Sequence, residues 1–225
     1  MKAIINKTNT PIFLTPEDTF GFNCKKCGKC CRNREDVLLT GPDIYRASKY
    51  LGISSKQFIN DYCELYIGDT SRIPICRLKP QGEDRHCPLL SDGRCRVHDV
   101  KPTVCALYPL ARMWDENGKA KYYVNSTSGH DTTDRHKVSD WLRYGGLPTE
   151  DEPGRLWNSV LVFCIKFMRE NEKKMSPGVL KEIHAIMTGL MYGCLLHEIP
   201  IDELMRAHYD TIKDSLPRCL ECLTF

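Results

Sequence analysis

From about residue 133 onward, apolar side chains recur every three or four positions, the period of amphipathic helices. Asp134 to Tyr144 is expected to be the first of these helices, ending at Gly145-Gly146. Pro153-Gly154 opens a longer one through Leu156, Val160, Phe163 and Phe167 to Met175. Ser176-Pro177 supplies a cap followed by proline at the first helical position, and this helix is expected to reach about His197. Asp202 caps a last helix toward Leu216, with Pro217 as its stop.

The first half reads differently. Residues 35–40, 72–79 and 94–98 have the short apolar patterning of strands, and Lys121 to Val124 predicts another inside the polar stretch 115–133. Two helices interrupt this half. Pro42 to Leu51 has proline near its start and Gly52 just past its end. Ser54 or Ser55 caps the other, whose apolar residues Phe58, Ile59, Tyr62, Leu65 and Tyr66 keep helical spacing. The predicted fold class is mainly α with short β segments. An irregular, metal-nucleated N-terminal module (20–112) is expected to pack against a C-terminal helical bundle (113–225), or the two to form one continuous domain.

Composition adds mostly exclusions. Hydrophobic residues make up 41% and charged residues 27%, ordinary for a globular chain. Thirty-two basic against 29 acidic residues leave a net charge of +3, with no basic face for nucleic acid. The local patch Lys25, Lys26, Lys29, Arg32 and Arg34 reads as charge balance for neighbouring thiolates. The longest apolar-rich stretch, around GLMYGCLLHEIPI, is too short and interrupted to span a bilayer. The opening MKAIINKTNT turns polar after Ile5, unlike a secretory leader, so the expected compartment is the cytoplasm.

Cysteine usage changes the picture. Thirteen cysteines in a reducing compartment argue for metal or catalysis over disulfides. Nine of them fall between residues 20 and 110, and CKKCGKCCRN (24–33) packs four into eight positions. Cys24-x2-Cys27-x2-Cys30 aims three sulfurs at one point and is similar to the spacing that wraps bacterial iron–sulfur clusters. Cys31 follows directly. Neighbouring side chains diverge on an extended strand and stand about 100° apart on a helix. The expectation is therefore that one tetrahedral ion does not use both Cys30 and Cys31.

A second group, CPLLSDGRCRVHDVKPTVCALYP, holds Cys87, Cys95 and Cys105. Ser91-Asp92-Gly93 is a turn that lets Cys87 and Cys95 face each other across a hairpin, and Pro102 permits a short helix carrying Cys105. One partition gives Cys24, Cys27 and Cys30 an outside fourth ligand and groups Cys31 with Cys87, Cys95 and Cys105. One larger cluster, or a site borrowing from both groups, fits equally. Cys76 is the spare ligand.

Those residues carry a family resemblance. FNCKKCGKCCRN, LTGPDIYRASKYLGIS and CPLLSDGRCRVHDVKPTVCALYP, across residues 22–110, are similar in order and spacing to the CxxCxxCC family of zinc- or iron-chelating domains. That family also includes flagellin lysine N-methylase and proteins labelled Fe–S oxidoreductase. The chain departs from the family pattern with His98 in place of Tyr, Lys101 in place of Arg and Ala106 in place of Arg. The family's later Cys-Pro-Gly is missing from VNSTSGHDTT, where Cys76 or His130 is the candidate substitute.

The other cysteines carry less. Cys63, Cys164 and Cys194 lie in apolar patterns and read as small core residues. Cys219-x2-Cys222 stays open between half of a zinc knuckle, a redox pair, a ligand for the N-terminal trio and coincidence. His86 and His98 read as surface, packing or outer-sphere residues beside their cysteines.

The resulting functional expectation is a metal-binding protein carrying an iron–sulfur cluster, of the 4Fe-4S type, with a redox or protein-modifying role. The alternatives are a zinc-stapled, non-catalytic interaction module and, by family analogy alone, a protein lysine N-methylase-like enzyme. The expected partner is a protein substrate or binding partner. Metal removal is expected to unfold residues 20–110.

Overall fold

Of the predicted caps, Ser54 and Ser176 accept from the Gln57 and Val179 N–H groups at the starts of their helices. The computed structural model describes residues 12–23, 28–33, 37–125, 131–193 and 195–224. In chain order come β1 (Phe13–Leu14), β2 (Thr19–Gly21), a 3-10 turn at Lys29–Cys31, β3 (Leu38–Leu39), α1 (Gly41–Leu51) and α2 (Ser55–Tyr62). Then follow β4 (Cys63–Ile67), β5 (Pro74–Leu78), β6 (Leu90–Ser91), β7 (Arg94–Cys95), a 3-10 turn at His98–Val100 and α3 (Thr103–Leu107). The remainder is β8 (Leu110–Trp114), β9 (Ala120–Val124), β10 (Arg135–Lys137), α4 (Val138–Tyr144), α5 (Glu152–Asn171), α6 (Pro177–Tyr192) and α7 (Ile201–Thr224). Helix accounts for about 50% and strand for 18% of the described residues, a mixed α/β chain with small sheets. No helix among those residues is long and apolar enough to cross a membrane.

The chain divides into two compact units, each made of two stretches: 1–34 with 81–151, and 35–80 with 152–225.

In the first unit, β1, β9 and β8 form an antiparallel sheet, β10 pairs with β2, and β6 with β7. Its core gathers Phe20, Phe22, Leu107, Leu110, Tyr122 and Trp141 among others. Phe20 and Phe22 both meet the Trp141 ring edge-on, at centroid distances of 5.5 and 5.7 Å. The Trp141 indole N–H donates to the Leu107 carbonyl at 3.1 Å. Arg112 and Asp151 form a buried ion pair at 2.6 Å.

In the second unit, α7 packs on α5 and α6, and the three-stranded sheet β3-β5-β4 accompanies α1 and α2. Thr40 and Asp43 close a capping box on α1. The Thr40 hydroxyl accepts from the Asp43 N–H at 3.1 Å, and the Asp43 carboxylate accepts from the Thr40 N–H at 3.0 Å. Gly52 ends the helix with φ +68°, a conformation that favours glycine.

Several predicted boundaries move. The helix expected from Asp134 starts at Val138, because Arg135–Lys137 pair with β2. The helix expected to reach Met175 ends at Asn171, and Asp202 lies inside the first turn of α7 and not before it. The helix expected to run through Tyr66 stops at Tyr62, and residues 63–67 pair with β5 instead. Their aromatic and apolar side chains suit a strand as well as a helix, so pairing with β5 decides. The helix expected to reach about His197 ends at Tyr192. Pro217 does not stop α7, which continues to Thr224. Proline forfeits one backbone hydrogen bond, and burial of Met205, His208, Ile212 and Leu216 on the same helix outweighs that loss.

Candidate metal centre

The described thiols of the first unit come from a helical turn, a loop, a hairpin and a short helix. Gly28, at φ +70°, leads into the 3-10 turn that carries Cys30 and Cys31, closed by the Cys31 N–H on the Gly28 carbonyl at 2.9 Å. Although the turn separates adjacent side-chain directions, the Cys30 and Cys31 sulfurs lie 3.9 Å apart. This corrects the expectation that the pair diverges. That expectation counted backbone direction alone, and the two side chains here turn toward each other.

Cys87 is held directly against this turn: its N–H donates to the Cys31 carbonyl at 2.8 Å. The β6–β7 hairpin turns at Asp92 and Gly93, both with positive φ, as a tight primed turn requires. Cys95 sits on β7 opposite Leu90. Cys105 lies in the middle of α3, with Pro102 just before that helix and Tyr108-Pro109 just after it.

Electrostatics tie these thiols together. The hydrogen bond with Cys30 is the largest influence on Cys31, raising its thiol far above the ordinary range. Burial and the charges of Cys30, Cys87 and Cys105 add to it. Burial pushes Cys87 up to about 11, with Cys95 and Cys30 contributing. Cys95 is raised by burial and by Cys30. Backbone N–H groups oppose these shifts: Leu89 and Leu90 donate to the Cys87 sulfur, and Val97 donates to the Cys95 sulfur. Such donors two or three residues on prepare a sulfur to carry negative charge.

Five thiols that repel one another as anions, with amides aimed at two of them, form a donor set that a thiophilic cation satisfies. Two tetrahedral Zn–S bonds of about 2.3 Å place their sulfurs about 3.8 Å apart, close to the Cys30–Cys31 separation of 3.9 Å. As they stand, no three His, Cys, Asp or Glu side chains among the described residues are close enough together to enclose an ion. Cys24, Cys27, Cys194 and His130 lie outside the described residues.

The other candidates sit elsewhere. Cys76 is fully buried in β5 of the second unit, opposite Leu39 and Leu65. Cys63 and Cys164 are buried in that unit as well, the Cys63 thiol lying 3.8 Å from the Phe58 carbonyl. Cys219 and Cys222 share one face of the last turns of α7.

Serine–histidine contacts in the second unit superficially suggest a nucleophile. Ser48 lies 2.8 Å and Ser55 3.3 Å from His197 Nε2. Ser48, however, is fully enclosed and within 2.6 Å of the Ile44 carbonyl, while Ser55 donates to the Leu195 carbonyl at 2.8 Å. With both hydroxyl protons so placed, the imidazole is the donor, and the group fastens residues 195–197 to α1 and α2.

Sequence reasoning missed Asp84. Its carboxylate receives the Arg32 guanidinium and the His86 ring at 2.7 Å. The one available signal was an aspartate two residues before a histidine that itself precedes a ligand-type cysteine.

Residues 23–130 match the model of the CxxCxxCC family, described as "Putative zinc- or iron-chelating domain". No curated protein and no solved structure matches the chain. With its described thiols drawn from four short elements toward one another, the segment 23–130 is similar to the CxxCxxCC family of zinc- or iron-chelating domains.

Proposed function

We propose that the protein is a metallothiolate protein in which Cys30 and Cys31 share one tetrahedral ion, zinc or iron. Two of Cys87, Cys95, Cys105, Cys24 and Cys27 complete its four ligands, and the others are left for a second equivalent. The observation that carries this reading is the 3.9 Å approach of the Cys30 and Cys31 sulfurs. In a cubane cluster each iron takes one cysteine, so ligands of different irons stand farther apart than two ligands of one ion. The bound ion neutralises the gathered thiolates and joins the elements that carry them. The protein's own residues bring the sulfurs together, donate backbone N–H groups to them and give up the thiol protons.

A second reading rests on the Cys24-x2-Cys27-x2-Cys30 spacing, which favours an iron–sulfur cluster with a redox or protein-modifying role. The lysine N-methylase reading has no feature of the thiol cluster in its favour. Anaerobic purification with metal and labile-sulfide analysis separates the possibilities. Stoichiometric zinc in a colourless protein, or iron without sulfide, supports the single-ion centre. Brown protein with iron and sulfide, bleached by dithionite, overturns it in favour of the cluster. Protein that takes up neither metal overturns both.

A further inference from the structure

The thiol-bearing stretches 28–33 and 81–95 lie far apart in the chain, and residues 35–80 between them belong to the other unit. Backbone contact between them is sparse: the Cys87 N–H on the Cys31 carbonyl at 2.8 Å, and the Asn33 N–H on the Asp84 carbonyl at 3.2 Å. Asp84 supplies the side-chain connection. One carboxylate oxygen accepts from Arg32, next to Cys31, across 52 positions of sequence. The other accepts from His86 Nδ1 at 2.7 Å, and His86 adjoins Cys87.

The loop is shaped to present this carboxylate. Gln81 and His86 exchange backbone hydrogen bonds at 2.8 Å each, and Gly82 and Arg85 both adopt positive φ. A β-carbon at Gly82 would come within 3.1 Å of the His86 ring. His86 pairs with Gln81 in an isolated β-bridge, and its ring Nδ1 is turned to the Asp84 carboxylate, which it holds.

Resting on the metal reading above, we infer that Asp84 is a positioning residue for the centre. It grips Arg32 on one side and His86 on the other, and so sets the Cys30–Cys31 turn against Cys87 before metal arrives. Outer-sphere partners of metal ligands typically contribute about 10- to 100-fold in affinity. Both side chains of the Arg32–Asp84 pair are nearly half exposed, so the low end applies.

The test is anaerobic zinc titration of the full chain against a chromophoric chelator, together with cobalt(II) absorption spectra. Asp84→Ala is expected to weaken zinc about tenfold and to change the cobalt ligand-field bands. Far-UV circular dichroism should be unchanged. Asp84→Asn keeps an acceptor for His86 and should recover part of the loss. Parent-like affinity and spectra in Asp84→Ala overturn the inference alone. If Asp84→Ala does not fold, Arg32→Gln tests the same link from the other segment. It should weaken zinc several-fold, and parent-like affinity there overturns the inference. A parent protein that takes up no zinc overturns the metal reading, and this inference with it.

Discussion

Replacing Cys30 and Cys31 by serine, singly and together, tests whether adjacent cysteines serve one ion. Their sulfurs stand 3.9 Å apart, against about 3.8 Å for one edge of a tetrahedral zinc thiolate. Structural zinc contributes about 10–16 kcal/mol in small domains, so one ligand of four corresponds to roughly 3 kcal/mol, or about 100-fold in affinity. Each single variant should therefore weaken the same metal equivalent about 100-fold and leave any second equivalent untouched. The assay is competition titration with metal counted per chain. If Cys30→Ser abolishes one equivalent and Cys31→Ser a different one, the shared-ion reasoning fails. The same titration carries a pH signature. Both Cys31 and Cys87 have raised thiols, Cys87 at about 11, so both are protonated at neutral pH and must release their protons to bind. Affinity should fall about tenfold per displaced proton for each unit of acidification, so these two thiols alone contribute about 100-fold between pH 7 and 6 and the other ligands add to it.

Further expectations concern stability. Asp151→Ala leaves Arg112 buried without its partner and should cost about 3–5 kcal/mol; urea unfolding that shows less than 1 kcal/mol would contradict that burial. Gly41→Ala places a methyl within 2.6 Å of the Trp157 ring, so urea unfolding of the second unit should show a loss of about 1–3 kcal/mol. His208 is held below its usual range by burial, and its ring N–H donates to the Met191 carbonyl at 3.1 Å. A depressed histidine stabilises above its unfolded value of about 6.5. That stability is lost as pH falls through the folded value, so His208→Gln should flatten the acid limb of the stability profile. Chelation should open residues 28–33 and 81–105 to protease while 41–62 stay protected, because α1 and α2 belong to the other unit. Cleavage within α1 on the same timescale would contradict that division.

Much of the local structure was legible in residue order. The Ser54 cap, the glycine after α1, the Asp92-Gly93 turn and the short Cys105 helix all depend on side chains acting within a few positions. Boundaries failed where two local preferences were close in energy. Residues 63–67 suit either helix or strand, and pairing with β5 decided between them. Pro217 is a strong local stop, yet the buried face of α7 carries the helix past it.

The thiol centre divides along the same line. The number of cysteines, their spacing and the hairpin that brings Cys95 back are properties of the sequence by itself, because they concern neighbours along the chain. Only the tertiary structure decided that Cys31 joins Cys30 instead of opposing it, that Cys76 is enclosed in the other unit, and that Asp84 links two distant stretches. The last two depend on packing and on contacts dozens of residues apart, which no local pattern encodes, while the first depends on how two neighbouring side chains turn within one short helical turn.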